Sequence, residues 1–275
     1  MDYLKSIRNN ILQFIRHLRL LKVFGAIHFI SEAVLNRKLN RKFVKEHPGI
    51  SLPPDYLMYE SFKLRYENYY NGGLETAKWL AGMFNRHSGL EDKIILDWGC
   101  GPGRIIRHLP MLTGQGCRFY GVDLNRKSID WCRKNLENIY FISSDLNARL
   151  PFDDCSFDII IAISVFTHLS ESSNIFYSLE LFRILKPGGT AYISMQGASF
   201  KQKLTLSERK KFESGGIVTR GFAREGTRVF STFHPETSVK QLFNHFELVD
   251  HIYRKEDDQR TLAQDLWVLR KGNHC

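Results

Sequence analysis

The stretch Ile94-Ile-Leu-Asp97-Trp-Gly99-Cys-Gly101-Pro-Gly103-Arg104 constrains this 275-residue chain more than any other. Three aliphatic residues run into an acid, three glycines follow at alternate positions, and an apolar-basic run with helical spacing comes next. That order predicts a buried strand, a tight turn and a helix N-terminus. Glycine admits positive φ and lets a ligand lie against the main chain. The first-turn N–H groups of the following helix would then face that ligand. A dinucleotide fingerprint fails, because the sixth position counted from Gly99 is Arg104. A phosphate-binding loop fails too, with Gly103-Arg104-Ile105 where Gly-Lys-Ser/Thr is needed. Asp97 at the strand end repels a pyrophosphate and suits a cation. An ordinary α/β turn with a capping aspartate is the competing reading.

Downstream, apolar strands alternate with helical segments, the pattern of a parallel α/β sheet. Arg118–Asp123 reads as a second strand ending in an acid 26 residues beyond Asp97, placed to accept hydrogen bonds from ribose hydroxyls. A structural aspartate capping the next helix is the alternative. Asn125 is the expected N-cap of the helix carrying Ile129, Cys132 and Leu136. Ile139–Ser143 and Phe157–Ser164 follow as strands, the latter apolar on consecutive positions and therefore buried on both faces. A helix ends at Leu181–Leu185, and Lys186-Pro-Gly188-Gly189 makes a turn in which Gly188 takes positive φ. Thr190–Met195 is the fifth strand, with Gln196 just past its end. Leu74–Phe84 and Pro235–Phe243 have helical spacing, and 246–252 with 265–270 form a closing pair of strands.

Leu96-Asp97-Trp-Gly99-Cys-Gly101-Pro-Gly103, Asp123, Asp145-Leu146, Leu185-Lys-Pro-Gly-Gly189 and the ending Gln264–Arg270 together resemble class I S-adenosylmethionine-dependent methyltransferases. The nearest likeness is the type 11/type 12 small-molecule group. The resemblance implies a doubly wound, Rossmann-like seven-stranded sheet of order 3-2-1-4-5-7-6 with the last strand antiparallel, over residues 57–275. It implies S-adenosylmethionine as cofactor and in-line methyl transfer to an O, N or C nucleophile of a small molecule. Asp97 would accept from the methionine ammonium, with Gly99, Cys100, Gly101 and Gly103 around the methionine portion. Asp123 and Leu124 would hold the ribose, Asp145 and Leu146 the adenine, and Ser164 would lie at the active edge. The chain lacks the Asp/Asn-Pro-Pro-Tyr/Phe pattern of enzymes that methylate exocyclic base amines, which argues against nucleic acid. An RNA methyltransferase and a non-catalytic cofactor-binding assembly protein stay open as alternatives.

Near the reactive edge, His168 is the attractive general base; orienting a loop is its other reading. Tyr70 (with Tyr66 and Tyr69) and Gln196 are candidate acceptor contacts. Residues 197–234 show no strand or simple helix period and carry eight Lys/Arg against three acids, the mark of a substrate lid or of a solvated basic loop. Arg220, Arg224, Arg228 and His234 are the candidates there for reading an anionic group. No metal-ligand constellation is visible.

Charge separates the N-terminal segment from the rest. Of the net +10, residues 1–47 supply +7, with ten Lys/Arg against three Asp/Glu. Leu4, Ile7, Ile11, Phe14, Leu18 and Leu21 form one helical stripe bordered by cations. Three readings compete: docking on the catalytic domain, lying on an anionic membrane surface, or pairing with another chain. Charges interrupt the apolar run, so neither a spanning helix nor a cleavable leader is expected. Gly25 and then Pro48, Pro53 and Pro54 should break the helix, with a linker near 46–56. Five cysteines without a C-x-x-C pair suggest neither zinc nor a disulfide framework, and so a reducing cytoplasm.

Overall fold

The computed structural model describes residues 21–61, 64–221, 223–253 and 264–273. The apolar stripe of residues 4–18 lies outside them. Helices α1 (Leu21–Glu46), α2 (Asp55–Ser61) and α3 (Tyr66–His87) precede the sheet. The strands are β1 (Ile94–Trp98), β2 (Arg118–Asp123), β3 (Ile139–Ser143), β4 (Phe157–Ala162) and β5 (Leu185–Met195). Then come β6 (Val218–Arg220), β7 (Ser231–Phe233), β8 (Glu247–Ile252) and β9 (Asp265–Arg270). Between them lie α4 (Arg126–Asn135), α5 (Glu171–Ile184), α6 (Leu206–Glu213) and α7 (Glu236–Leu242).

Seven strands form one sheet in the order β3-β2-β1-β4-β5-β9-β8. Counting these seven alone, this is the expected 3-2-1-4-5-7-6. β1 to β5 are mutually parallel, and β9 runs antiparallel to both β5 and β8. Successive residues of a strand point to opposite faces. Leu96, Trp98, Ile160 and Ala162 accordingly enter one core with α5 and α7, while Ile95, Ile159 and Ile161 enter another with α3 and α4. Covering both faces is what consecutive apolar residues in β4 require, at about 1.5–3 kcal/mol per buried isoleucine. The carboxyl ends of β1, β2, β4 and β5 thereby form one edge, fixed by buried strands.

Four expectations are corrected. Gly25 does not stop the first helix, which runs on to Glu46 before a loop at 47–54. One helical glycine costs only about 1 kcal/mol relative to alanine, and the docked inner face of the helix outweighs it. After Gly103 the chain makes turns and a short 3₁₀ helix (Ile106–Met111) rather than an α-helix. Pro110 inside that segment has no N–H and would clash with the carbonyl four residues back in an α-helix. Residues 197–234 are not irregular: they hold a 3₁₀ turn (Ala198–Lys203), α6 and the β6–β7 hairpin around a small core of Phe200, Leu204, Phe212, Val218 and Phe233. Finally, Cys100, Cys117 and Cys132 are free, but Cys155 is disulfide-bonded, which the cysteine spacing did not suggest.

Candidate active site at the carboxyl edge of the sheet

The glycine turn is shaped by steric necessity. Gly99, Gly101 and Gly103 all have positive φ (77°, 52° and 77°). A Cβ on Gly99 would run into the Val165 side chain, which packs the β4 loop against the turn. On the other side the turn is braced by α3. Tyr69 Oη donates to the Pro102 carbonyl at 2.7 Å, and a Cβ on Gly73 would collide with the Arg104 carbonyl. Gly73 inside α3, unfavourable for a helix, is therefore explained by close approach of the turn.

The N–H groups of the turn are largely committed. Gly99 and Cys100 both donate to the Val122 carbonyl (2.7 and 3.1 Å), and Gly103 donates to the Cys100 carbonyl. Gly101 N–H donates to Asp123 Oδ2 at 2.8 Å, and Asn125 N–H to Oδ1 at 2.7 Å. With the helix N-terminus also replaced by turns, no phosphate-type cradle is assembled here. Asn125 in turn caps α4, its side chain accepting from Lys127 and Ser128 N–H. Asp123 thus fixes the turn and keeps lone pairs for a ligand hydroxyl.

A buried acid and a half-buried one share this edge. Asp97 is only 3% exposed. Burial pushes its carboxyl up to about 7, the Arg104 guanidinium pulling it down and Asp123 pushing it further up. Asp123 is likewise raised by burial, with the N–H groups of Asn125 and Gly101 opposing. A pair of carboxylates held in low dielectric favours a cationic ligand. The residues therefore fit a sulfonium compound with an ammonium tail.

At the end of β4, Ser164 has φ 62°, unusual for a residue with a side chain. A closed ring of hydrogen bonds holds it. Ser164 N–H donates to Ser194 Oγ, Ser194 Oγ–H to Gln264 Oε1, and Gln264 Nε2 to Ser164 Oγ, each at 2.7 Å. Thr167 Oγ1 adds a bond to the Ser164 carbonyl at 3.1 Å. The sequence marks Gln264 only as part of the closing motif and gives no role to Ser194 or Thr167, because Ser194 and Gln264 stand 30 and 100 residues from Ser164 and only the fold brings them together.

His168 follows in a 3₁₀ turn (Phe166–His168). Its Nδ1–H donates to the Phe230 carbonyl at 2.7 Å, and burial lowers its pKa. The ring is thus neutral with Nε2 as its basic nitrogen. The 223–232 segment is tied onto this loop by further bonds: Gly226 N–H to the His168 carbonyl, Ser170 N–H to Glu225 Oε1, and Thr232 Oγ1–H to the Leu169 carbonyl.

The remaining candidates divide. Leu124 packs beneath Gly226, where any Cβ would crowd it. Leu146 packs on the core beside Tyr177. Asp145 stands exposed at the rim, 3.4 Å from Arg126. Cys100 is buried with its thiol pKa raised by that burial, and so is unreactive. Tyr70 is taken up in packing, edge-on to His108 (4.8 Å) with Arg107 over its ring. Gln196 lies just past β5, its carbonyl accepting from His234 N–H. Arg224 is exposed. Two anion-reading candidates are otherwise engaged. Arg220 is paired bidentately with Glu208 (2.6 and 2.8 Å), and His234 is 1% exposed, held neutral by burial at about 3, and hydrogen-bonded to Asn174. Arg228 instead covers the Tyr59 ring at 3.9 Å and donates to its carbonyl.

A mostly parallel sheet whose carboxyl edge carries two acids around a glycine turn is the setting in which doubly wound α/β folds bind ligands. A family model described as a methyltransferase domain matches residues 95–189. A putative methyltransferase of Encephalitozoon cuniculi is 30% identical over 184 residues, covering 64% of this chain and 78% of that protein. A ubiquinone biosynthesis O-methyltransferase of Rickettsia bellii is 24% identical over 193 residues, 67% of this chain and 72% of that one. A sterol 24-C-methyltransferase of Schizosaccharomyces pombe is 34% identical, but the match spans only 25% of its length. Among solved structures, a Burkholderia thailandensis 1,6-didemethyltoxoflavin-N1-methyltransferase with bound S-adenosylhomocysteine shares the fold (TM-score 0.52, 19% identity, 75% of this chain and 84% of that one). The chain belongs to the methyltransferases, and its fold is the one found in S-adenosylmethionine-dependent members such as the toxoflavin enzyme.

Proposed function

We propose that the protein methylates a small molecule at a hydroxyl, amine or carbon nucleophile enclosed beneath residues 197–234. The observation that carries this reading is the way those residues are fastened over the β4 loop, by the four hydrogen bonds that converge on 168–170. A roof built from the chain itself suits an acceptor that fits inside, not a polymer that must lie across the edge. The relatives bearing ubiquinone, sterol and toxoflavin in their names support the same acceptor size.

S-adenosylmethionine supplies a methyl carbon already activated by its sulfonium. Asp97 would accept from the ammonium, the glycine turn would admit the methionine portion, Asp123 would accept from the ribose, and Asp145 with Leu146 would border the adenine. Bound there, the sulfonium would supply its methyl group to the acceptor's lone pair, the sulfur taking the carbon–sulfur bonding pair as it leaves. For a hydroxyl or amine acceptor, the displaced proton passes to His168 Nε2, whose tautomer is set by the Phe230 carbonyl. Positioning of this kind can lower a barrier by about 7–11 kcal/mol. Incubation of the protein with methyl-labelled S-adenosylmethionine and pooled hydroxylated and amino metabolites tests the reading. Label in a small organic product is expected. Label appearing only in added RNA or protein would refute it.

A further inference from the structure

Helix α1 has two faces of different character. Phe29, Ala33, Asn36, Asn40 and Phe43, spaced four, three, four and three apart, turn inward. Asn40 clamps the helix at both ends of its amide: Nδ2 donates to the Leu64 carbonyl at 2.9 Å and Oδ1 accepts from Tyr66 N–H at 3.1 Å. That docking fixes the rotation of the helix and so decides what it turns outward. Ile27, Ile30, Val34 and Leu35 are between 59% and 75% exposed. Single exposed aliphatics are ordinary on a protein surface, whereas four within nine residues of one helix form a patch. The next stretch, 36–45, contains Arg37, Lys38, Arg41, Lys42 and Lys45 and no acid. Lys38, Arg41 and Lys45 stand eleven residues, three helical turns, beyond Ile27, Ile30 and Val34. One face therefore passes from apolar to cationic along its length.

We propose that this outward face of α1 binds the surface of an anionic lipid bilayer, with the aliphatic residues at the boundary of headgroups and acyl chains and the cations over lipid phosphates. No described helix is long and apolar enough to cross a membrane, so α1 lies on the surface rather than spanning. RNA would satisfy the cations but leave the aliphatic patch in water. A second copy packed antiparallel would cover the aliphatic residues but leave the five cations without anionic partners. An anionic bilayer accommodates both halves of the face at once. The docked helix also reaches the roof of the site: Tyr59 donates to the Gly25 carbonyl of α1 and lies under Arg228.

Sedimentation of the full-length protein with phosphatidylcholine vesicles, with and without about one third phosphatidylglycerol, tests the proposal. Binding is expected only to the anionic vesicles and should weaken as salt is raised. Arg37→Glu/Lys38→Glu/Arg41→Glu should weaken it at least about tenfold. Ile30→Ser/Val34→Ser/Leu35→Ser should weaken it comparably without changing charge. Affinity for S-adenosylhomocysteine, measured on the same variants, should be unchanged, which separates failure here from failure of the methyl-transfer reading. Unaltered vesicle binding by either variant would overturn the proposal. So would tighter binding to RNA that ignores the aliphatic substitutions, or a concentration-dependent dimer that those substitutions dissolve.

Discussion

The two halves of the active edge are built on different principles. The half we propose for the cofactor consists of strand ends: Asp97 stands one residue before the end of β1, Asp123 ends β2, and the turn between them is fixed by N–H bonds to the Val122 carbonyl and the Asp123 carboxylate. The half we propose for the acceptor is an insertion with its own small core, fastened to 168–170 by a few hydrogen bonds. Strand ends in a buried sheet are placed by the whole hydrophobic core, whereas a tied insertion can open and close at the cost of a few bonds. The difference teaches that affinity for cofactor and competence toward acceptor should be separable by substitution.

The widest separation is expected at His168. His168→Gln should lower turnover with a hydroxyl or amine acceptor by about 100- to 10,000-fold and leave affinity for S-adenosylhomocysteine within about twofold, as read by steady-state kinetics beside calorimetry. A parallel loss of both would merge the two halves. Next in size is Gly99→Ala, which places a side chain at φ 77° against Val165. It should cost about 2–4 kcal/mol of stability, visible as a lowered denaturant midpoint and relieved in part by Val165→Ala.

The pH response sharpens the contrast further. Burial raises the Asp97 carboxyl from 3.8 to about 7, and a ligand ammonium favours the ionised form. Affinity for S-adenosylhomocysteine should hold above about pH 7 and fall as pH drops below it, by at most about tenfold per unit. The unliganded protein has the opposite sign: a raised carboxyl withdraws stability as pH rises from its ordinary value toward 7. Asp97→Asn should flatten the binding profile; an unchanged profile would assign the titration elsewhere. The smallest effect is expected far from the edge. Gly25→Ala in α1, where an added Cβ meets nothing within 4 Å, should stabilise by up to about 1 kcal/mol and leave cofactor affinity unaltered.

The same division governs what the sequence discloses. Strands β1 and β4 are legible because aliphatic residues run consecutively along them, β2 and β3 because aromatic and β-branched residues lead to Asp123 and Ser143, and the N-cap Asn125 is a local signal. Pro110 was equally visible, and its effect on the segment after the glycine turn follows from its missing N–H. The insertion is opaque for a physical reason. Its stability rests on partners such as Glu208 with Arg220, twelve residues apart, and on a core of five scattered apolar side chains. The ring of Ser164, Ser194 and Gln264 joins three strand ends, each contributing one polar residue with nothing nearby to mark it. His234 looked like a ligand contact only because burial cannot be read from a histidine's neighbours in sequence.

Titration calorimetry of S-adenosylhomocysteine against the wild-type protein and Asp123→Ala, with circular dichroism to confirm that both are folded, bears most directly on the site. Removing an acceptor of two charge-assisted hydrogen bonds should weaken binding at least about 100-fold. Equal affinity in a folded variant would contradict the placement of the cofactor between the ends of β1 and β2.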